Sequence, residues 1–237
     1  MLFDGPREKI WYYHDIVKDD MRNGNGLRVT IFLAGCNHYC QGCHNPETWD
    51  PTNGILFDEA AYNEAMEAVD HDYIQGVTLS GGDPFHPANR YATNLFVQDF
   101  RKRFHTKKDI WIYTGYTWEQ LHDKNSPDYD ALNTLASIDV LVDGPFKKEL
   151  ADVNYHWAGS TNQRVISVPK SDDHNIVLYE DEKKGIFQGK LLSGRFNFTS
   201  PLVIPPSTEI EEKTFNPEDV FTELERRGWK ESMLKHK

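Results

Sequence analysis

The 237-residue chain holds three cysteines, all within the stretch Cys36-Asn37-His38-Tyr39-Cys40-Gln41-Gly42-Cys43. No other feature of the sequence limits the fold so strongly. Thiols spaced C-x3-C-x2-C cannot be scattered through a core as small apolar fillers; they have to emerge together on one short segment. Thiolates gathered in this way suit a metal centre, and iron–sulfur clusters are held by cysteine, commonly by four. With three, a four-iron cluster keeps one iron without a protein ligand, and chemistry can take place there. Two alternatives stand beside this at the level of spacing. One is a zinc site of three cysteines and one histidine, for which His38 and His44 are both close by. The other is three unbound thiols, which have little packing purpose.

The cysteines direct attention to what surrounds them. Leu27-Arg-Val-Thr-Ile-Phe-Leu-Ala34 is a short apolar run with β-branched residues, preceded by the turn signal Asn23-Gly-Asn-Gly26, and reads as a buried strand delivering Cys36 at its end. From Asp58, a candidate N-cap, Ala61, Tyr62, Ala65, Met66 and Val69 recur at helical spacing. Gly76–Ser80 is a second strand, closing in Gly81-Gly82-Asp83-Pro84, and Ala92, Leu95, Phe96 and Phe100 mark a second helix. Ile110–Tyr113 forms a third strand ending at Thr114-Gly115, and Thr117-Trp-Glu-Gln120 has the form of a capping box. Ser126-Pro127 reads as a helix start, Ile138–Val142 as a fourth strand ending at Asp143-Gly144, and Arg164–Val168 as a fifth.

Strands alternating with helices imply parallel β-α units, whose ligands bind beyond the carboxyl ends of the strands. Cys36, the Gly81-Gly82-Asp83 turn, Tyr113-Thr114 and Asp143 are therefore expected on one rim. Beyond Pro169 the character changes to short strand-like runs (Ile176–Tyr179, Gly185–Phe187, Lys190–Leu192) and a helix start at Asn216-Pro217. The expected division is 1–169 as the catalytic domain and 170–237 as an appendage of strands and one helix.

Composition narrows the function classes. Hydrophobic residues are 38% and charged residues 27%, in the range of a globular protein. A net charge of −11 argues against gripping nucleic-acid phosphates through the overall field. The basic runs Arg101-Lys-Arg103 and Arg226-Arg227 read as solvated helix faces. No run approaches the roughly 18 apolar residues of a membrane span, and Met1–Lys9 lacks the basic-then-apolar order of a secretory signal. A cytoplasmic location is expected, without nucleic acid or membrane as partner, where reducing conditions keep thiols ready for metal. An odd number of cysteines also fits a disulfide framework poorly.

The C-x3-C-x2-C spacing after a first strand resembles the signature of the radical S-adenosylmethionine superfamily. Gly81-Gly82-Asp83 resembles that superfamily's Gly-Gly-Glu motif, with aspartate for glutamate. Several longer stretches resemble the anaerobic ribonucleoside-triphosphate reductase activating proteins. They are Asn23–Cys36, Gly42-Cys-His-Asn-Pro-Glu-Thr-Trp49, Leu79–Pro84, Trp111–Glu119, Val140–Phe146 and Gly159–Arg164. The resemblance runs from about Ile16 to Val168 and does not reach 170–237. Where many superfamily members carry an aromatic residue before the last cysteine, this chain has Gly42, with His44 following the cysteine.

What the resemblance implies is specific. The fold would be α/β, a partial (β/α) barrel of the radical S-adenosylmethionine type with a C-terminal α+β appendage. Cys36, Cys40 and Cys43 would ligate a [4Fe-4S] cluster whose open iron chelates S-adenosylmethionine. Gly42, Cys43, His44, Gly81, Gly82 and Asp83 would contact that cofactor, with Tyr113, Thr114 and Asp143 as further contacts. The activity would be that of an oxidoreductase. Reductive cleavage of S-adenosylmethionine would yield a 5′-deoxyadenosyl radical, which would take a hydrogen from a glycine of the partner reductase. Electrons would come from a donor such as flavodoxin or ferredoxin. Two other readings remain open, a radical enzyme acting on a small molecule of the deazapurine-precursor type and a zinc-binding adaptor. Residues 170–237 are expected to help dock the reductase.

Overall fold

The computed structural model describes residues 11–179, apart from 124, 126 and 127. One seven-stranded sheet carries the chain, in the order β3-β1-β2-β4-β5-β6-β7. The strands are β1 (Tyr12–Asp20), β2 (Arg28–Leu33), β3 (Ile55–Leu56), β4 (Gly76–Gly81), β5 (Asp109–Tyr113), β6 (Val140–Asp143) and β7 (Arg164–Ser167). The helices are α1 (Glu59–Val69), α2 (Arg90–Phe104), α3 (Trp118–Leu121) and α4 (Tyr129–Ala136). Among the described residues the sheet is open, with β3 and β7 at its edges.

The centre, β2-β4-β5-β6, is parallel, and both flanks are antiparallel. The expected fifth strand exists as β7 but runs against β6, which corrects the reading of a uniformly parallel series. A parallel return needs a crossover of a dozen residues or more, usually a helix. Residues 144–163 supply only one short 3-10 turn, Lys148–Leu150, so the chain folds back beside β6. β1 and β3 were not expected. β1 is polar and half-buried along its length, with Tyr13 and Ile16 touching the core.

Alternation along the parallel strands sorts their residues to two faces. One face presents Val29, Ile31, Leu33, Val77, Leu79, Ile110, Ile112 and Leu141 to the helices. Ala61, Ala65 and Met66 of α1, Phe96 and Phe100 of α2, and Leu135 of α4 complete that core. The opposite face packs Trp111, Val140 and Val142 with Tyr113, Trp157, Val165 and Tyr179. At its lower end Arg28, fully buried, donates to Thr78 Oγ1 (2.8 Å), Val77 O (2.9 Å) and Asp109 (2.5 Å).

Helix ends follow the local signals. Asp58 accepts from Ala61 N (3.0 Å), and Thr117 and Gln120 form the reciprocal capping box. α4 starts later than expected, capped by Asp128, which accepts from Ala131 N at 3.2 Å; residues 126 and 127 lie outside the described set. The strand expected at Ile176–Tyr179 is reduced to a bridge from Leu178 to Ile166, reinforced by Ser167 N to Val177 O and Tyr179 N to Val165 O. The elements expected at Gly185–Phe187, Lys190–Leu192 and Asn216–Gly228 lie outside the described residues. No helix among the described residues is long and apolar enough to cross a membrane.

Candidate functional site

The cysteine segment leaves the top of β2 through a tightly held junction. Ala34 N donates to Tyr12 O (2.8 Å), Gly35 N to Thr48 O (2.7 Å) and Cys36 N to Trp49 O (3.0 Å). Gly35 has φ +96°, a conformation that costs a residue with a β-carbon. Cys43 N closes a turn on Cys40 O at 3.1 Å. Gly42 also has positive φ, +77°, and the stem of Lys148 lies 3.1 Å from where a β-carbon would stand. That gives the Gly-Cys pattern a conformational reason: a residue with a β-carbon at 42 would be strained by the positive φ.

The three thiols are free and only partly buried. Burial pushes the Cys36 thiol up to about 11, and Cys40 is raised for the same first reason; Asp83 and Cys43 add to both. One backbone N–H reaches a sulfur, Asn45 N to Cys43 Sγ at 3.4 Å. Three uncommitted, partly buried thiols on one loop are the donor set an iron–sulfur cluster takes. The donor set therefore fits the cluster. Among the described residues, no three histidine, cysteine or acidic side chains converge as a single-ion site would need. His38, one of the two rings available to a zinc site, commits its Nε2 to a contact within the protein.

Its commitment is to Asp83. The β4 end is sewn to the cysteine junction by Gly82 N to Leu33 O and Asp83 N to Gly35 O, both 2.7 Å. Asp83, fully buried, then gathers donors from three directions. Oδ1 accepts from Phe85 N at 2.8 Å. Both oxygens lie 2.9 Å from Thr114 Oγ1, and Oδ2 accepts from Gly115 N at 3.0 Å. His38 Nε2 is 2.6 Å from Oδ2. Cys36, Cys40, Cys43, Gly81, Gly82, Asp83 and Thr114 are thus brought together, through contacts within the protein.

The remaining expected residues are placed differently. Asp143, almost fully buried, accepts from Trp118 N (2.7 Å) and from Arg164 Nε (3.0 Å) and Nη2 (2.5 Å). The same guanidinium grips Glu119 with two 2.9 Å bonds. Tyr113 faces away from the helices with Trp111 and Val142; its hydroxyl is buried without a hydrogen-bond partner among the described residues, and burial pushes its pKa up. The His44 ring lies 5.8 Å from that of Phe146.

Two residues that matter here were not singled out in this role from sequence. Asn89 sits at the start of α2 but does not cap it with its side chain; Nδ2 instead donates to Ala34 O (2.7 Å) and Asp83 O (2.9 Å), joining both junctions. His38 carried only a metal-ligand reading.

Known proteins resemble this chain across the same residues. A family model described as a 4Fe-4S single cluster domain matches residues 22–166. The chain is 41% identical over 155 residues to the anaerobic ribonucleoside-triphosphate reductase-activating protein of Enterobacteria phage T4, covering 65% of this chain and 93% of that one. It is 42% identical over 146 residues to the protein of that name from Haemophilus influenzae, covering 61% and 90%. With the Escherichia coli K12 protein it shares 39% over 155 residues, covering 65% and 96%.

Proposed function

The chain belongs to the anaerobic ribonucleoside-triphosphate reductase-activating proteins, and from that premise we propose that it is a radical S-adenosylmethionine activase of such a reductase. Cys36, Cys40 and Cys43 hold a [4Fe-4S] cluster, and the open sheet serves as a partial barrel of the radical S-adenosylmethionine type. The chemistry supplied when cluster and S-adenosylmethionine are bound is one-electron cleavage of the sulfonium and hydrogen abstraction from a glycine of the reductase. The chain's own residues position and enclose. The backbone of the Gly81-Gly82-Asp83 turn would receive the amino group of the methionine moiety, the Asp83 carboxylate itself being buried and taken up by protein donors, and Gly42, Cys43 and His44 would contact the cofactor. Thr114 holds the Asp83 carboxylate, and Asp143 holds Arg164 and the start of α3. A flavodoxin or ferredoxin type donor supplies the electron, and 170–237 contributes to docking the reductase.

The observation that carries this reading is the joining of the segment that leads into the three-thiol loop to the Gly81-Gly82-Asp83 turn, by direct backbone bonds at the adjoining ends of β2 and β4. The test is anaerobic mixing of reconstituted protein with a class III reductase, S-adenosylmethionine and a reductant, read by electron paramagnetic resonance. A glycyl radical doublet in the reductase is expected. Intact cluster with no radical, or S-adenosylmethionine cleavage coupled to a small molecule instead, would refute it.

A further inference from the structure

We propose that His38 is a positioning residue that fixes the cysteine loop to the Gly81–Asp83 turn, and so sets the open iron in register with the amine-binding turn. The inference rests on the functional reading above and adds a residue to it. His38 lies in the middle of the first cysteine spacer, between Cys36 and Cys40. Its Nε2 meets Asp83 Oδ2 at 2.6 Å. A carboxylate can only accept, so Nε2 carries the hydrogen and donates.

Asp83 is the fixed member of the pair. Phe85 N, Thr114 Oγ1 and Gly115 N hold it independently of the loop. His38 is the held member. Asn37 of the same loop pairs with the Tyr116 hydroxyl, at 3.1 Å through Nδ2 and 3.3 Å through Oδ1, but in an exposed setting. The imidazole also packs edge-on against Tyr116, with ring centres 4.6 Å apart. The room it occupies is kept open by Gly115, where a β-carbon would fall 2.3 Å from His38 Cδ2. Strand ends β4 and β5 thereby dictate where the first two cysteines stand. Chelation of an amino group and a carboxylate at one iron, with the amine also bound by the turn, tolerates little drift between loop and turn.

The experiment uses full-length protein, anaerobically reconstituted, as wild type, His38→Ala, His38→Gln, Gly115→Ala and the His38→Ala/Gly115→Ala double variant. The readouts are iron and sulfide content, and the S-adenosylmethionine concentration needed to alter the electron paramagnetic resonance spectrum of the reduced cluster, with no reductase present. His38→Ala and Gly115→Ala should each raise that concentration about tenfold, the worth of a hydrogen bond to a charged group. Glutamine carries an N–H at comparable reach and should restore most of the loss. The double variant should bind no more weakly than His38→Ala, because the alanine at 115 acts only by displacing the ring.

Wild-type binding in His38→Ala, or a second full tenfold loss in the double variant, would overturn the proposal. Should His38→Ala lose iron, recovery in His38→Gln supports the tether, and equal loss in both variants overturns it. A wild-type spectrum indifferent to S-adenosylmethionine would instead sink the functional reading on which the proposal stands.

Discussion

The carbonyl oxygen of Gly35 lies 2.6 Å from where a β-carbon on Gly82 would stand. The two backbones meet because Asp83 N donates to that same carbonyl at 2.7 Å. Gly82 is needed for space and not for an unusual φ, in contrast to Gly81 at +90°. Gly82→Ala should force the cysteine junction and the β4 turn apart at a cost of about 1–3 kcal/mol, the range for overpacking. Urea unfolding of cluster-free protein measures this, and reconstitution should yield less iron. An unchanged unfolding midpoint would show that the junction yields freely.

Asn89 spans the same two segments with one side chain, from Ala34 O to Asp83 O, in a buried setting. Asn89→Ala strands the buried Ala34 carbonyl and leaves the Asp83 carbonyl with its bond from His86 N alone, and an unmet buried bond costs about 1–3 kcal/mol. Asn89→Asp should be no better, since a carboxylate offers these carbonyls no donor. Both variants should lower the urea midpoint. A neutral Asn89→Ala would mean that water satisfies the carbonyls.

How legible all this was depends on the kind of signal each residue gives. β2, β4, β5 and β6 are apolar runs buried on both faces, and such runs announce themselves. β1 has the composition of an edge strand, with His14, Asp15, Lys18, Asp19 and Asp20 among its residues, and its pairing with β2 is a tertiary fact that no local pattern carries. The direction of β7 was hidden in an absence, the lack of a crossover helix in 144–163. At the site, the cysteines and the Gly-Gly-Asp turn stand out by spacing. Asn89 resembles an ordinary helix cap, and His38 an ordinary candidate ligand. Their roles depend on carbonyls and a carboxylate supplied by segments distant in sequence.

Arg164 links the rim's buried and exposed acids, and the two should differ in worth. Removing the guanidinium leaves Asp143 buried and unpaired, a loss of about 3–5 kcal/mol for Arg164→Met in urea at neutral pH. Glu119 is more than half exposed, so its share is screened and stays under about 1 kcal/mol. The hydrogen bonds from Arg164 hold the Glu119 carboxyl down to about 2, below its ordinary 4.5. A carboxyl depressed in the folded state stabilises above its unfolded value and loses that contribution as pH falls through the folded one. Glu119→Gln should therefore cost a little at pH 7 and nothing near pH 2, with the difference closing between about 4.5 and 2. A cost that persists unchanged in acid would assign Glu119 a packing role.

The cysteines stand outside both buried cores, which are built from the sheet and its helices. This separates the protein from small zinc domains, where metal binding is the folding energy itself. Chelating the cluster under anaerobic conditions should leave far-UV circular dichroism and a single cooperative urea transition in place. The midpoint should fall only by the mass-action share of cluster binding. Cys36→Ser, Cys40→Ser and Cys43→Ser should each lower bound iron without loss of that transition, since none removes a core contact. Collapse of the cooperative transition on chelation would mean that the loop, through Asp83 and Asn89, helps hold the strand ends together as much as they hold it.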